Sequence, residues 1–273
     1  MPANPLLNEG KFQQEAQSSG LGWAASGRTS GVGVEHQKGT MTVAGTATAT
    51  GVLLALLLVS AYFGWQQVTP THLVVNPITG AESWTGGSIP PWLFLGAIVG
   101  FVAVLVGSFV PKLARIMGPI YALGYGLVVG AISAFYENQF EGIVLQAIGA
   151  TLGVFAVMYF LYATRIIKVT RRYVLIVIGA MFGLLAFYLV AFVASLFGAD
   201  LYFMNQPTPL GIAISIGIAA LAAASLAIDF AVIEEMSHGG APRYMEWYGA
   251  MSLTVTLVWL YLQVLRVLAL LRN

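Results

Sequence analysis

Asp229 is the residue of this sequence with the clearest capacity for chemistry, because it is the only acidic residue set well inside a long apolar run. An ionisable side chain inside a membrane span costs roughly 2.5–3.5 kcal/mol at the helix centre, so it indicates function and requires a partner. An isolated carboxyl group in lipid favours its neutral form, whereas a neighbouring cation favours the charged form. Asp229 is therefore suited to sensing protons or binding a cation. The plainer alternative is an interfacial carboxylate that reaches water.

Three basic residues are candidate partners of this carboxylate. Lys112 and Arg115 are predicted to lie at the same membrane face, and Arg266 lies within the last apolar run. Glu234 and Glu235 follow the carboxylate by one to two helical turns and are predicted to lie at the membrane surface, where they would be accessory groups. If calcium binds, the carboxylate inside the span is its predicted ligand, because calcium prefers oxygen ligands.

Other chemistries lack the residues that they need. The sequence contains no Walker-type loop, no Gly-x-Ser-x-Gly motif and no pair of histidines at helical spacing that would ligate zinc. It has no cysteine, which excludes disulfides and thiolate sites. A net charge of +1 without a basic stripe gives no reason to expect a nucleic-acid partner. We therefore expect no enzyme, no resident cofactor and no bound nucleic acid, with calcium considered only as a permeant ion.

The composition predicts the elements that must position these residues. With 58% hydrophobic and 8% charged residues, the chain has too little polar surface for a soluble globule of 273 residues. Its apolar runs of about 20 residues are long enough to cross a bilayer as helices, and none alternates strictly as a barrel strand would. The sequence predicts an all-α integral membrane domain over 46–273, in contact with the lipid bilayer, with seven spans at 46–65, 92–110, 118–135, 142–163, 173–197, 210–232 and 247–270.

The segment before the first span is predicted to be a flexible cytoplasmic tail. Residues 1–45 are rich in Gly, Ser, Thr, Ala and Gln and have no apolar periodic stripe. They contain no short apolar core followed by a small-residue cleavage site, so we expect the first span to be retained rather than removed as a signal peptide.

The distribution of Lys and Arg predicts the orientation of the spans. Cytoplasmic loops accumulate these residues, and three loops, 66–91, 136–141 and 198–209, contain none. The tail and the intervening loops contain all of the loop cations, which predicts a cytoplasmic N-terminus. Seven spans then place the C-terminus outside, although Arg266 and Arg272 lie in or after the last span. That segment either crosses fully or forms a re-entrant hairpin, and we expect a full span.

Several spans contain glycines four residues apart, a spacing that lets helix backbones approach closely in lipid. The pairs are Gly96 and Gly100, Gly126 and Gly130, and Gly149 and Gly153. We expect these pairs to pack against neighbouring helices rather than to line a pore.

Five segments of the sequence resemble the Bax inhibitor-1 family, also called the YccA-like or transmembrane Bax inhibitor motif group. The resemblance lies in 142–158 (GIVLQAIGATLGVFAVM), 228–230 (IDF) and 260–268 (LYLQVLRVL). The tail opening 3–5 (ANP) and the linker 241–248 (APRYMEWY) are similar to the bacterial branch that has long N-terminal tails. The resemblance covers roughly residues 46–273, and the order of the seven spans agrees.

The resemblance implies a seven-helix fold whose last helix is central, and for some members a pH-sensitive calcium leak. It implies a gate made by two aspartates on the sixth and seventh helices, with a basic residue after the second helix stabilising the closed state. The sixth-helix aspartate matches Asp229, and the basic residue matches Lys112. The seventh-helix aspartate falls at Thr256, or at Gln263 in the alternative register, and neither residue is acidic. The second gate carboxylate is therefore missing.

From these features the sequence predicts a multipass protein of the bacterial inner membrane that conducts cations, calcium or protons, through a gate at Asp229. The alternative, which the YccA side of the resemblance implies, is a regulator or partner of a membrane protease or of other membrane proteins. The polar segment 1–45 motivates this alternative, because exposed polar segments are accessible to a processing enzyme.

Overall fold

Seven α-helices make up most of the chain that the computed structural model describes, which is residues 39–69, 72–75, 82–85, 90–197 and 208–272. Helices dominate because a backbone in lipid must satisfy its polar groups within its own segment. A short antiparallel hairpin of strands β1 and β2 follows the first helix, and a single 3-10 turn, Pro111–Leu113, precedes the third. The elements are α1 Val43–Gln66, β1 His72–Val75, β2 Glu82–Thr85, α2 Leu93–Phe109, α3 Ala114–Gln139, α4 Ile143–Ala163, α5 Arg171–Leu196, α6 Pro209–His238 and α7 Met245–Arg272.

The predicted all-α membrane class is confirmed, and each predicted span corresponds to one helix. Six of the helices are long and apolar enough to cross a bilayer, and α2, with 17 residues, lies at the short end of the length that suffices. The largest difference is in α6, which continues to His238 and so exceeds its predicted end at 232. Polar residues at the end of α6 lowered the apolar signal there, although the backbone remains helical.

Helix α7 occupies the centre of the bundle. It contacts α1, α3, α4 and α6, and half of its apolar window is buried, a larger share than in the other five candidate spans. It is one continuous helix whose last residue, Arg272, donates a 2.9 Å hydrogen bond to the carbonyl oxygen of Glu141 in the connection between α3 and α4. Continuity over 28 residues fits the expected full span rather than the re-entrant hairpin.

Helix α5 is the most peripheral of the candidate spans. Only about a tenth of its apolar window is buried, and its main packing partner is α6. The hydroxyl of Tyr173 in its first turn donates to the carbonyl oxygen of Ala224 on α6, over 2.8 Å. Helix α5 therefore contacts the bundle mainly through α6, whereas α1, α3, α4 and α6 pack against α7 directly.

Side-chain caps fix the starts of several helices. Thr42, Thr170 and Thr208 have extended backbones, and each hydroxyl accepts a hydrogen bond from the amide three residues later. The carboxylate of Glu137 caps α4 in a similar way, because it accepts hydrogen bonds from the amides of Gly142 and Val144. These caps satisfy amides that a helix leaves without internal partners.

The end of the predicted tail is attached to the bundle. Residues 1–38 lie outside the described part of the chain, but residues 39–42, which we call the N-terminal strap, contact the connection between α6 and α7. The amide of Met41 donates to the carbonyl oxygen of Ala241 over 2.7 Å, and the amide of Arg243 donates to the carbonyl oxygen of Gly39 over 2.9 Å. Helix α1 begins at Val43, three residues before the predicted boundary at 46.

Candidate functional site

Asp229 lies on α6 and faces α7, two to three turns before α6 ends. Its Oδ1 accepts a 2.7 Å hydrogen bond from the hydroxyl of Ser252 in the second turn of α7. Thr256, one turn further along α7, lies beside the same carboxyl group. The other carboxyl oxygen, Oδ2, is buried and has no hydrogen-bond partner among the described residues. The structure therefore brings together two predicted site residues, Asp229 and Thr256, and adds Ser252.

The segment of α6 that carries this carboxyl group packs in an apolar and aromatic cluster. Its chain neighbour Phe230 packs edge-on against the rings of Phe155 and Tyr159 on α4. Met41 of the N-terminal strap joins the same cluster and is only 2% exposed. Leu226, one turn before the carboxyl group, is fully buried. Charge on Asp229 is consequently costly unless a cation or water reaches it.

Two further buried side-chain oxygens on α6 and α7 have no hydrogen-bond partner in the described residues: Gln263 Oε1 and Ser215 Oγ. Gln263 is seven residues beyond Thr256, so it lies on the same face of α7 about 10 Å away along the helix axis. Ser215 lies four turns before Asp229 on α6. Since most buried polar atoms in proteins are satisfied, the unpaired oxygens of Asp229, Gln263 and Ser215 are exceptions among the described residues.

The predicted closing cations form no ion pair with Asp229 in the described part of the chain. Lys112 lies in the 3-10 turn before α3, Arg115 lies in the first turn of α3, and both side chains are exposed. Among the described residues, neither forms an ion pair with Asp229; the two ion pairs found there join other residues. The geometry does not provide the Lys112 contact that the resemblance implies.

Arg266 belongs to the opposite end of α7. It is ten residues beyond Thr256, which is about 15 Å along the helix. There its charge acts on the hydroxyl group of Tyr136, near the end of α3. Arg266 is therefore a neighbour of the connection between α3 and α4, and it is separated from the carboxyl group on α6.

Glu234, predicted as an accessory carboxylate, connects α6 to the end of α4 and to the loop that follows it. It accepts hydrogen bonds from Arg165, over 2.5 Å, and from the hydroxyl of Tyr162 at the end of α4. The bond to Glu234 raises the pKa of the Arg165 guanidinium, which is a cation at any physiological pH. Arg165 has a left-handed backbone, with φ of 58°, where α4 ends. Glu235, the next residue, is exposed.

Sequence reasoning did not single out Glu246 as a site residue. Glu246, in the first turn of α7, is 8% exposed, and its Oε1 accepts from both the amide and the hydroxyl of Thr42, each over 3.0 Å. Its Oε2 lies 3.8 Å from Nε of Arg243. The available signal was a carboxylate in the first turn of a helix, where the helix dipole favours negative charge.

The oxygen atoms available around Asp229 suit a transient contact with a cation better than stable calcium binding. Calcium takes six to eight oxygen ligands, usually from several carboxylates. In the part of the chain that the structure describes, no three acidic or histidine side chains come close enough to hold a metal ion. One carboxylate with two hydroxyl groups instead provides a site that one proton or one weakly held cation can occupy.

A family model described as Bax inhibitor 1 like matches residues 4–273. No curated protein and no solved structure matches the chain.

Proposed function

The chain belongs to the Bax inhibitor 1-like family, and from this premise we propose that it is a pH-sensitive cation leak pathway of the bacterial inner membrane, gated at Asp229. The coarser statement, a multipass membrane protein of this family, rests on the family match and on the apolar helices. The gating role rests on the buried Oδ2 of Asp229, which has no partner among the described residues.

An unsatisfied carboxyl oxygen in an apolar bundle supports exchange with protons or cations. A carboxylate that served only to join two helices would use both oxygens, because leaving one buried and unpaired costs roughly 1–3 kcal/mol. Asp229 uses Oδ1 to contact Ser252 on α7, while Oδ2 accepts no hydrogen bond from the described residues, although the hydroxyl group of Thr256 lies beside the carboxyl group. The carboxyl group thus joins the two helices and can still accept a proton or contact a cation.

The presence of a single carboxylate supports protons over calcium as the ion that Asp229 binds. Thr256 or Gln263 stands where the family resemblance implies a second aspartate, and neither carries charge at any pH. A single carboxylate titrates as one group, so it cannot share a proton as a coupled pair does. We therefore propose that pH dependence comes from Asp229 alone and that calcium passes without a tight site.

Reconstituted protein tests the gate directly. Proton and calcium entry into proteoliposomes would be measured at an acidic and an alkaline pH for the wild type and for Asp229→Asn. Asparagine keeps the size of the side chain and its contact with Ser252 but cannot ionise. We expect flux through the wild type to depend on pH and flux through Asp229→Asn to be nearly the same at both values.

The matched control is Glu235→Gln, which removes an exposed carboxylate from the same helix. It should retain the wild-type pH profile. Equal pH profiles for the wild type and Asp229→Asn would overturn the gate assignment, and absence of flux above protein-free liposomes would overturn the leak itself.

The N-terminal strap favours a second candidate function, which is binding of a membrane protease or another membrane protein through the preceding residues. The strap is hydrogen-bonded to the connection between α6 and α7, so a partner that pulls on it would act on the helix that carries Asp229. Residues 1–38 lie outside the described chain, and their deletion would leave residues 39–42 in place. We expect this deletion to abolish co-purification of a partner while flux is unchanged. Unchanged co-purification would exclude the segment as a docking site.

A further inference from the structure

A cavity of about 460 Å³ lies between α1 and α4, with α3 and α7 behind it. Helices α1 and α4 form its two walls and do not pack against each other. The wall residues of α1 come from its second half, which leads to the hairpin of β1 and β2. The cavity therefore belongs to the half of the bilayer nearer the hairpin, and its volume lies in the range of roughly 300–1,000 Å³ found for ligand sites.

The hydroxyl groups of Ser133, Tyr261 and Thr151, which line the cavity, are already hydrogen-bonded within the protein. The hydroxyl of Ser133 donates to the carbonyl oxygen of Val129 and lies 2.7 Å from the hydroxyl of Tyr261. The hydroxyl of Thr151 donates to the carbonyl oxygen of Ala147, also over 2.7 Å. No charged side chain lines the cavity. Since a buried water needs two to four polar partners, this cavity favours hydrocarbon over water.

The cavity is continuous with the surface that the bundle presents to lipid. Leu58 on α1 is 63% exposed and Leu152 on α4 is 60% exposed, and both also line the cavity. Tyr62 and Trp65 lie on the same wall near the end of α1, at the depth where aromatic side chains meet lipid head groups. A lipid beside the bundle can therefore place a chain between α1 and α4 without crossing a polar barrier.

We propose that one acyl chain of a phospholipid, from the leaflet nearer the hairpin, binds in the cavity between α1 and α4 and reaches Leu257 and Val258 on α7. The chain fills the space between the two walls, so it contributes to holding α1 and α4 at their observed separation. Tyr62 and Trp65 are placed to contact the lipid near its head group. This site is separate from Asp229, because α6 contributes nothing to the cavity.

Photocrosslinking tests the site. The full-length protein would be reconstituted in vesicles of phosphatidylethanolamine and phosphatidylglycerol containing a phospholipid with a photoreactive diazirine in its acyl chain. Peptides crosslinked after illumination would be identified by mass spectrometry. Because α7 is central, we expect lipid to label residues 257–261 only through the cavity. Absence of label on this segment in the wild type would overturn the proposal.

Two tryptophan substitutions on α4 provide a matched comparison. Ile148→Trp fills the cavity from its wall, whereas Leu145→Trp changes a side chain that is 76% exposed and does not line the cavity. We expect Ile148→Trp to reduce labelling of residues 257–261 several-fold and Leu145→Trp to leave it at the wild-type level. Equal labelling in the two variants would also overturn the proposal. Labelling of α5, which is exposed to lipid, provides the reference signal for reconstitution, and an unchanged unfolding temperature in detergent reports that the bundle is intact in each variant.

Discussion

The hydrogen bond from Ser252 to Asp229 predicts a measurable effect at the scale of one residue. Ser252→Ala removes the donor to Oδ1 and leaves the hydroxyl group of Thr256 beside the carboxyl group. We expect the free energy of unfolding in detergent to fall by about 0.6–2 kcal/mol. The lower value is the average contribution of a hydrogen bond between membrane helices, and the upper value is a typical cost of leaving a buried polar group unsatisfied. The flux through the variant should rise, because α6 and α7 lose a contact at the gate.

Ser195→Ala is the control for Ser252→Ala. Ser195 is exposed on α5, and among the described residues its hydroxyl donates to the carbonyl oxygen of Phe192 in its own helix. Its substitution should change neither unfolding nor flux. If Ser252→Ala matched this control in both measurements, the contact between Ser252 and Asp229 would have no role in the gate.

At this scale the sequence identified the site residues more successfully than the side chains that contact them. Asp229 could be found because a carboxylate is rare within an apolar run, and Thr256 could be placed through the family resemblance. Ser252 could not be found, because the rotation of α7 about its axis decides which of its hydroxyl groups faces α6. Lys112 was expected to pair with Asp229, but membership of the same bundle end does not fix a distance across the bundle.

At the scale of helices, glycine spacing predicts close packing only where another helix is present. A Cβ atom added at Gly130 on α3 would overlap with the carbonyl oxygen of Ala61 on α1. We expect Gly130→Ala to separate α1 from α3 and to lower the free energy of unfolding by about 1–3 kcal/mol, the usual cost of overpacking. Thermal or denaturant unfolding in detergent would measure the change.

Gly183→Ala on α5 is the matched substitution, because nothing lies within 4 Å of a Cβ atom added there. Alanine is the better helix former by about 1 kcal/mol, so this variant should be as stable as the wild type or slightly more stable. A loss of stability at Gly183 as large as that at Gly130 would show that the close approach of α1 and α3 is not the cause.

The three predicted glycine pairs show why spacing alone was insufficient. Gly126 approaches the backbone of Leu57 and Gly100 approaches Tyr125, as expected for helix packing. Gly149 and Gly153 on α4 have the same spacing but no neighbour within 4 Å of an added Cβ atom. The N-terminal strap was missed for a related reason, since its few residues have no periodic pattern and are fixed by backbone hydrogen bonds to a distant loop.

For the whole molecule, the number and type of helices followed from hydrophobicity, whereas their arrangement did not. Runs of about 20 apolar residues must cross lipid as helices, so the class and the approximate bounds could be predicted. The central place of α7 came from the family resemblance. The peripheral place of α5 and the cavity between α1 and α4 depend on side-chain packing, which neither hydropathy nor the order of spans specifies.

The orientation of the bundle gives the prediction for the whole molecule. Arg165, Lys112 and Arg243 lie in connections at one end, which we expect to face the cytoplasm because cytoplasmic loops accumulate cations. The natural chain contains no cysteine, so single-cysteine variants can be labelled without background. Ile166→Cys places a thiol at this end and Asn138→Cys at the other, and both positions are exposed.

A membrane-impermeant maleimide applied to intact bacterial cells with a permeabilised outer membrane would distinguish the two ends. We expect labelling of Asn138→Cys in intact cells and labelling of Ile166→Cys only after the inner membrane is opened. The reverse pattern would show that the bundle has the opposite orientation, with the end of α6 that follows Asp229 outside. In that case the carboxyl group would respond to external pH, and the strap would be inaccessible to a cytoplasmic partner, so this measurement bears on both proposed functions.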